Sequence, residues 1–439
     1  MIILYGTKII HSKLKLIKKE ERSSFFVRLF SKKIPSIIIM VIEMEKKVIF
    51  HIDINNAFLS WTAVKLLNEG YGTDIRTIPS VIGGDEEKRH GIVLAKSPVA
   101  KKKGIKTAET IYSARKKCPD LELFPPDMEY YQEMSNKFIK HLEKYSPTIE
   151  KLSVDECFVD MSNTSLLYDD LVLLAYKIKD EIKSTYGFTV NIGISDSKIC
   201  AKMASDMEKP DKVHTLFNYE IERKMWPLPV DDLYMVGKHA AEKLHSIGIH
   251  TIGDLAKTDE KTLVKEFNKY GNTIWNYANG ISDDLSTYTE DKNKSLSTSE
   301  TFSTDIGEKK KLLQILYKQV DILGKDLRKQ KLYTNTIAIN YKTADFISYS
   351  KQMTLSTVTN STEEISKYIT NLLDQSWNNE KIRNIGIRFS NLTDKKQKQI
   401  SIFSDNQIEE KNDVVQETLD KINDKYGSSI IRQANLFTK

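Results

Sequence analysis

Two runs of the chain set carboxylates at the ends of apolar strands. Ser153-Val154-Asp155-Glu156-Cys157-Phe158-Val159-Asp160 holds an adjacent acid pair in a run that otherwise reads as a half-buried strand. Side chains in a strand alternate faces, so Asp155 and Glu156 cannot both hide in one core. An ionised pair beside an apolar interior is costly unless a cation neutralises it. Mg²⁺ suits that task, because it takes hard oxygen ligands and keeps room for phosphates and water. An acidic surface turn is the plain alternative for such a pair taken alone. About a hundred residues earlier, however, Val48-Ile49-Phe50-His51-Ile52-Asp53-Ile54 is an apolar strand with a single carboxylate near its end. Three acids on the ends of two strands point to a two-metal phosphoryl-transfer centre.

The elements that must position these acids alternate along the chain. After the first strand, Asn55 or Asn56 is placed to cap a helix running to about Asn68, with Ala57, Trp61, Val64 and Leu67 on one face and Gly70 as a stop. Residues 71–127 read as a small mixed subdomain with Gly83-Gly84-Asp85-Glu86-Glu87, a strand Gly91–Ala95, the basic run Lys101-Lys102-Lys103 and closing prolines. From Tyr130 a helix buries Tyr131, Met134, Phe138, Leu142 and Tyr145. The acidic strand 149–160 follows, then a helix with Leu167, Leu171, Leu174, Ile178 and Ile182 inward. A strand Phe188–Ser195 and a helix from Ser197 to Met207 end at Lys209-Pro210. This alternation predicts an antiparallel sheet backed by helices.

Residues 217–288 become short helices with junctions at Val236-Gly237-Lys238, Ser246-Ile247-Gly248-Ile249 and Lys269-Tyr270-Gly271-Asn272. A polar linker over 286–295 precedes strand 297–303, helix 308–330, strands 334–343 and 346–355, helix 361–377 and strand 382–390. That β-α-β-β-α-β order is an α+β module of its own. A helix near 410–425 and a polar tail finish the chain.

At 439 residues, two to four domains are expected. The net charge of +6 is concentrated at the start, where residues 1–47 carry eleven Lys/Arg against four Asp/Glu. The other 392 residues carry 55 basic and 56 acidic side chains, so net charge says nothing of the body's partners, and local basic clusters must do so instead. Three scattered cysteines, Cys118, Cys157 and Cys200, argue against a disulfide framework or a zinc site and fit a reducing cytoplasm. Residues 1–43 read as an extension. Their apolar run Ile34–Ile42 is nine residues, too short to span a bilayer as a helix, and translation from Met40 or Met44 would remove most or all of it.

The ordering resembles the Y-family translesion DNA polymerases of the bacterial polymerase IV type, from about residue 46 to the end. Its most specific pieces are Asp53-Ile54-Asn55-Asn56-Ala57-Phe58, Ser153-Val154-Asp155-Glu156, and Gly193-Ile194-Ser195 leading to Lys209-Pro210. The resemblance implies an α+β right-hand architecture. The palm would be 44–57 and 127–216, the fingers 58–126, the helix-hairpin-helix thumb 217–288, the linker 289–296 and the little finger 297–404. A C-terminal helix and tail would occupy 405–439. It implies a low-fidelity, monomeric enzyme that acts on primer-template DNA and deoxynucleoside triphosphates. Asp53, Asp155 and Glu156 would be its catalytic acids and would hold two Mg²⁺ ions, with the Ile54 carbonyl completing the shell.

By the same resemblance, Phe58 is a steric gate under the sugar of the incoming nucleotide, although its spacing alone fits a core Phe. Lys209 matches a triphosphate-binding lysine, the alternative being a helix-end lysine serving the dipole. Many relatives place a Tyr and an Arg on the triphosphate where this chain has Pro98 and Lys101. Lysine supplies charge there but no bidentate fork. In the thumb, Gly237, Lys238 and Gly248 are the expected DNA contacts, but Met235 stands where relatives often have the first glycine of Gly-x-Gly.

Two rivals remain. Gly83-Gly84-Asp85-Glu86-Glu87 is similar to a diguanylate cyclase signature, which leaves the hairpin and terminal module without a purpose. A polymerase-like accessory protein that binds DNA and the clamp with little catalysis is the other, against which stands the presence of all three acids. The tail Gln433-Ala434-Asn435-Leu436-Phe437 resembles a bacterial sliding-clamp-binding peptide, with Gln433, Leu436 and Phe437 as anchors.

Overall fold

In the computed structural model, residues 47–85, 91–162, 164, 167–168, 170–283, 285, 294–395, 415, 418–422 and 425–426 are described. In chain order, β1 (Ile49–Ile54) and α1 (Ala57–Asn68) lead into β2 (Ser80–Gly83), β3 (Val93–Lys96), α2 (Pro98–Lys102), α3 (Ile111–Lys117) and β4 (Glu122–Phe124). Next come α4 (Met128–Leu142), β5 (Ile149–Lys151), β6 (Glu156–Asp160), α5 (Leu171–Tyr186), β7 (Val190–Ser195), α6 (Lys198–Asp206) and β8 (Val213–Thr215). Helices α7 (Ile221–Lys224), α8 (Lys238–Ser246), α9 (Ile252–Lys257), α10 (Glu260–Phe267) and α11 (Lys269–Ala278) follow. The last module is β9 (Ser295–Ile306), α12 (Lys309–Lys329), β10 (Thr334–Thr343), β11 (Ser348–Thr359), α13 (Thr362–Ser376) and β12 (Ile382–Ser390).

The chain divides into two units, one of residues up to 74 and 127–289, the other of 75–126 and everything from 290. In the first, a five-stranded sheet runs β5-β6-β1-β7-β8. Every β1 residue is buried, as an apolar run must be when both sheet faces are covered. Phe50, Ile52 and Ile54 join Trp61 of α1, Tyr131, Met134 and Phe138 of α4, and Leu174, Ile178 and Ile182 of α5 in one core. The alternate residues His51 and Asp53 therefore meet the opposite face. There α6 packs, with Ser205 Oγ 2.7 Å from His51 Nδ1. Gly193 makes that approach possible, because a Cβ there would lie 2.0 Å from Ala201 O. Helices α8–α11 form a further cluster in the same unit, Leu244, Ile252, Leu255, Leu263 and Ile274 packing with Ile199, Cys200 and Met203 of α6.

In the second unit, β2 pairs antiparallel with β3 and parallel with β4. The terminal module folds as an antiparallel sheet, β11-β10-β12-β9, its core closed by Leu312, Leu316, Val320 and Leu323 of α12 and Ile365, Ile369 and Leu373 of α13. The expected β-α-β-β-α-β order is thus present. Asp420 takes a bidentate bond from Arg328 of α12, at 2.6 Å from Nε and 3.1 Å from Nη2. The described residues of the C-terminal helix are fixed to the module in this way.

Several expectations need correction. The run 149–160 is two strands: Leu152 and Ser153 both donate their N–H to Glu156 O, closing a turn, so Asp155 stands outside the strands and Glu156 opens β6. The sheet is mixed, since β7 and β8 run parallel. α1 packs into the core of the first unit. Leu67 and Leu167 are exposed. Asn56 is the N-cap of α1 but has φ 51° and no side-chain cap bond. Gly271 lies inside α11, where a Cβ would meet Leu263 O at 2.2 Å; the break falls at Asn268, with φ 55°.

Candidate active site

The β1–β6 register pairs Asp53 with Glu156, and Ile54 N–H donates to Asp155 O at 3.0 Å. Sheet pairing therefore brings Asp53 to the adjacent Asp155 and Glu156, about a hundred residues away in sequence, at one end of the central strands. Asp53 is 5 % exposed. Burial lifts its carboxyl to about 6, against the opposing pull of Lys209. Lys209 Nζ bonds both Asp53 and, at 2.8 Å, Asp206. Burial would lower the Lys209 ammonium, but Asp53 and Asp206 together hold it above its ordinary value.

Glu156 goes the other way. Burial acts to raise it, yet the Lys202 ammonium beside it holds it well below the usual carboxylate range. Lys202 Nζ lies 2.8 Å from Oε1 and is itself nearly buried. His51 Nε2 lies 3.7 Å from Oε2, too long for a hydrogen bond, and is a buried nitrogen without a partner. Burial holds this imidazole below its usual range, so it is neutral at pH 7. Asp155 Oδ1 accepts from Ser153 Oγ at 2.6 Å.

The donor set fits a hard divalent cation: three carboxylates, one of them poorly solvated, on neighbouring backbone positions. Their side chains do not converge, however. Among the described residues no three acidic, His or Cys side chains close on a common point, because Lys209, Ser153 and Lys202 each hold one of the acids.

Phe58 sits in the first turn of α1, half-buried, its ring stacked on Tyr131 at 4.7 Å between centroids and 10° between planes. Lys101 is exposed on α2, in the second unit. Pro98 is that helix's N1 residue behind the Ser97 cap, where a missing N–H costs nothing. In the thumb cluster, Gly237 caps α8 without a side-chain bond, and Gly248 turns at φ +83°. Neither would have a described neighbour within 4 Å of an added Cβ, so packing does not require either to be small, although the left-handed φ of Gly248 favours glycine there. Met235 takes φ 76° and is exposed, a left-handed conformation that costs a non-glycine residue about 1–2 kcal/mol. The side chain of Lys238 is 85 % exposed and 3.8 Å from Glu242. Gln433, Leu436 and Phe437 lie outside the described residues.

Sequence reasoning missed His51, Lys202, Asn55 and Asn191 as parts of this site. The period-2 pattern carried a signal for His51, two residues before Asp53 on the same face, and the buried face of α6 carried one for Lys202.

The pattern of the impB/mucB/samB family matches residues 52–206, that of its C-terminal domain residues 293–402, and that of the DNA polymerase-iota thumb domain residues 231–282. The chain is similar to a DNA polymerase IV of Clostridium acetobutylicum, 46 % identical across 90 % of this chain and 99 % of that one. Another from Acetivibrio thermocellus is 33 % identical across 89 % and 98 %, and DNA polymerase IV 1 of Bacillus subtilis is 32 % identical across 90 % and 94 %. A solved chimeric Y-family DNA polymerase superposes with a TM-score of 0.68 at 22 % identity, over 78 % of this chain and 98 % of its own, a likeness of fold. With these relatives aligned along nearly its whole length, the chain belongs to the DNA polymerase IV group of the Y-family polymerases.

Proposed function

We propose that this template-directed DNA polymerase extends primers past damaged template through a centre built on Asp53, Asp155 and Glu156, holding two Mg²⁺ ions. The observation that supports this reading is the pairing of Asp53 with Glu156 across β1 and β6, with Asp155 bonded through its carbonyl to Ile54. Enzymes of this family depend on a divalent metal. When bound, it lowers the pKa of the primer hydroxyl and neutralises the triphosphate.

The chain's own residues do the rest. Lys202 fixes the Glu156 carboxylate. Lys209, on its turn beside Asp53, is the side chain we assign to the triphosphate. Phe58 bars a ribose 2′-hydroxyl by overlap. Lys101 adds charge from α2, and the open turns at Gly237-Lys238 and Gly248 take duplex phosphates through backbone N–H groups. The tail residues Gln433, Leu436 and Phe437 tether the enzyme to a sliding clamp. The protein acts as a monomer in the cytoplasm. The three cysteines are free and buried, and among the described residues no helix is long and apolar enough to cross a membrane.

Primer extension with Mg²⁺ on undamaged and lesion-bearing templates tests the proposal. Incorporation opposite or beyond a lesion is expected. Extension that stops at every lesion, or DNA binding without incorporation, would favour the accessory-protein reading.

A further inference from the structure

Two buried carboxamides lie beside Asp53, and that of Asn191 is used completely. Asn191 is the partner of Asp53 in the β1–β7 register, and Asn55 follows Asp53 by two residues. Their relative exposures are 0 % and 9 %. Asn55 Nδ2 donates to Asn191 Oδ1 at 3.1 Å. Asn55 Oδ1 accepts from Thr189 Oγ1 and from Asp211 N–H, both at 2.9 Å. Asn191 Oδ1 also accepts from Lys212 N–H at 3.2 Å, while its Nδ2 donates to Ser205 O at 3.0 Å and Glu208 O at 2.6 Å.

The turn 208–212 is thus held at Glu208, Asp211 and Lys212 by two side chains, and between those points it carries Lys209 and Pro210. Ile192 N–H adds a backbone bond to Lys212 O at 2.9 Å. Asp211 sits at φ 63°, a conformation that persists in a non-glycine residue only where its surroundings enforce it. The carboxylate of Asp211 is in turn gripped by Lys179 and Lys183, each at 2.8 Å. Asn191 must give two protons and accept two, which only a carboxamide does at this size. A hydroxyl has one proton, and an ionised carboxylate would face the Ser205 and Glu208 carbonyls with no proton to give.

We propose that Asn55 and Asn191 are positioning residues for nucleotide binding: they lock the Lys209 turn to the strand that carries Asp53, so that the ammonium and the acids keep one geometry. The proposal rests on the reading of Lys209 as a triphosphate contact. A displaced charge weakens binding of the group it meets while the acids themselves are unmoved, so the effect belongs in the nucleotide KM more than in kcat.

Single-nucleotide incorporation by the full chain on a matched primer-template tests this. Asn191→Ala is expected to raise the nucleotide KM about tenfold and change kcat less than about threefold. In a Lys209→Ala background the same substitution should add less than about twofold, because the residue it positions is gone. A general loss of structure would instead give the same factor in both backgrounds, and that result overturns the proposal, as does an unchanged KM in Asn191→Ala. Should Asn191→Ala fail to melt cooperatively, Thr189→Val removes only the bond to Asn55 Oδ1. A KM rise of about threefold that vanishes with Lys209→Ala is then expected, and a rise that persists there contradicts the proposal equally. An unchanged KM in Lys209→Ala alone would instead remove the nucleotide role of Lys209, and this inference with it.

Discussion

Asp53 and Glu156 are register partners whose carboxyls are driven in opposite directions, and the difference has consequences at the level of single residues. Burial lifts Asp53 to about 6, so protons compete with a cation there at mildly acid pH. Divalent binding to the nucleotide-free protein should therefore weaken as pH falls from 7.5 to 5.5, approaching tenfold per unit below the pKa of Asp53. Calorimetric titration with Mg²⁺ or Mn²⁺ measures this, and affinity independent of pH in that range would exclude Asp53 as a ligand. Phe58 presents a second case. Its ring is stacked on Tyr131, so Phe58→Ala should cost some stability and also lower discrimination against ribonucleotides, by roughly tenfold or more. Unchanged discrimination in a folded variant would return Phe58 to a packing role. The acids were legible in the sequence because a charged residue in an apolar strand is conspicuous. Asn55, Asn191 and Lys202 were not, because the bonds Asn55–Asn191, Lys202–Glu156 and Asn55–Asp211 span 46 to 156 positions, and no local pattern encodes such a bond.

At the scale of elements, the site depends on how closely α6 approaches β1 and β7. Gly193 faces His51 across the ladder, and a Cβ there would meet Ala201 O at 2.0 Å and Ser205 N at 2.5 Å. Both obstacles are backbone, so they yield only if the helix moves. Gly193→Ala should cost about 2–4 kcal/mol of stability and lower incorporation by displacing Lys202. Denaturant melts and rate measurements check this; wild-type stability would show that α6 has slack. Helices such as α4, α12 and α13 were readable from apolar period, since each buries a single continuous stripe, and β1 was readable as an apolar run buried on both faces. The turn dividing β5 from β6 was hidden, because 149–160 is apolar enough to pass for one strand while its break is set by the bonds to Glu156 O. The start of α11 was misplaced for a related reason: Gly271 is small for close packing against Leu263, not for a turn.

For the molecule as a whole, the sequence order of strands and helices foretold the α+β class and the terminal β-α-β-β-α-β sheet, and the family relatives align along about nine-tenths of the chain. What the order did not disclose was that α1 packs with the central sheet, since a helix between two candidate modules carries no label of ownership. The proposed clamp tether is a property of this scale too. Leu436 and Phe437 offer roughly 3–6 kcal/mol on burial before ordering costs, enough for a weak contact that raises local concentration at the primer end. Deleting 433–439 should leave distributive synthesis unchanged and abolish stimulation by a sliding clamp; undiminished clamp binding would place the contact elsewhere. The central claim, that Asp53, Asp155 and Glu156 form the catalytic centre, is met most directly by Glu156→Gln, which keeps shape and removes charge. Its incorporation rate with saturating Mg²⁺ and nucleotide should fall about a thousandfold, while DNA affinity by fluorescence anisotropy stays within about threefold of wild type. A variant that binds DNA normally and retains more than about a tenth of the wild-type rate would contradict the assignment.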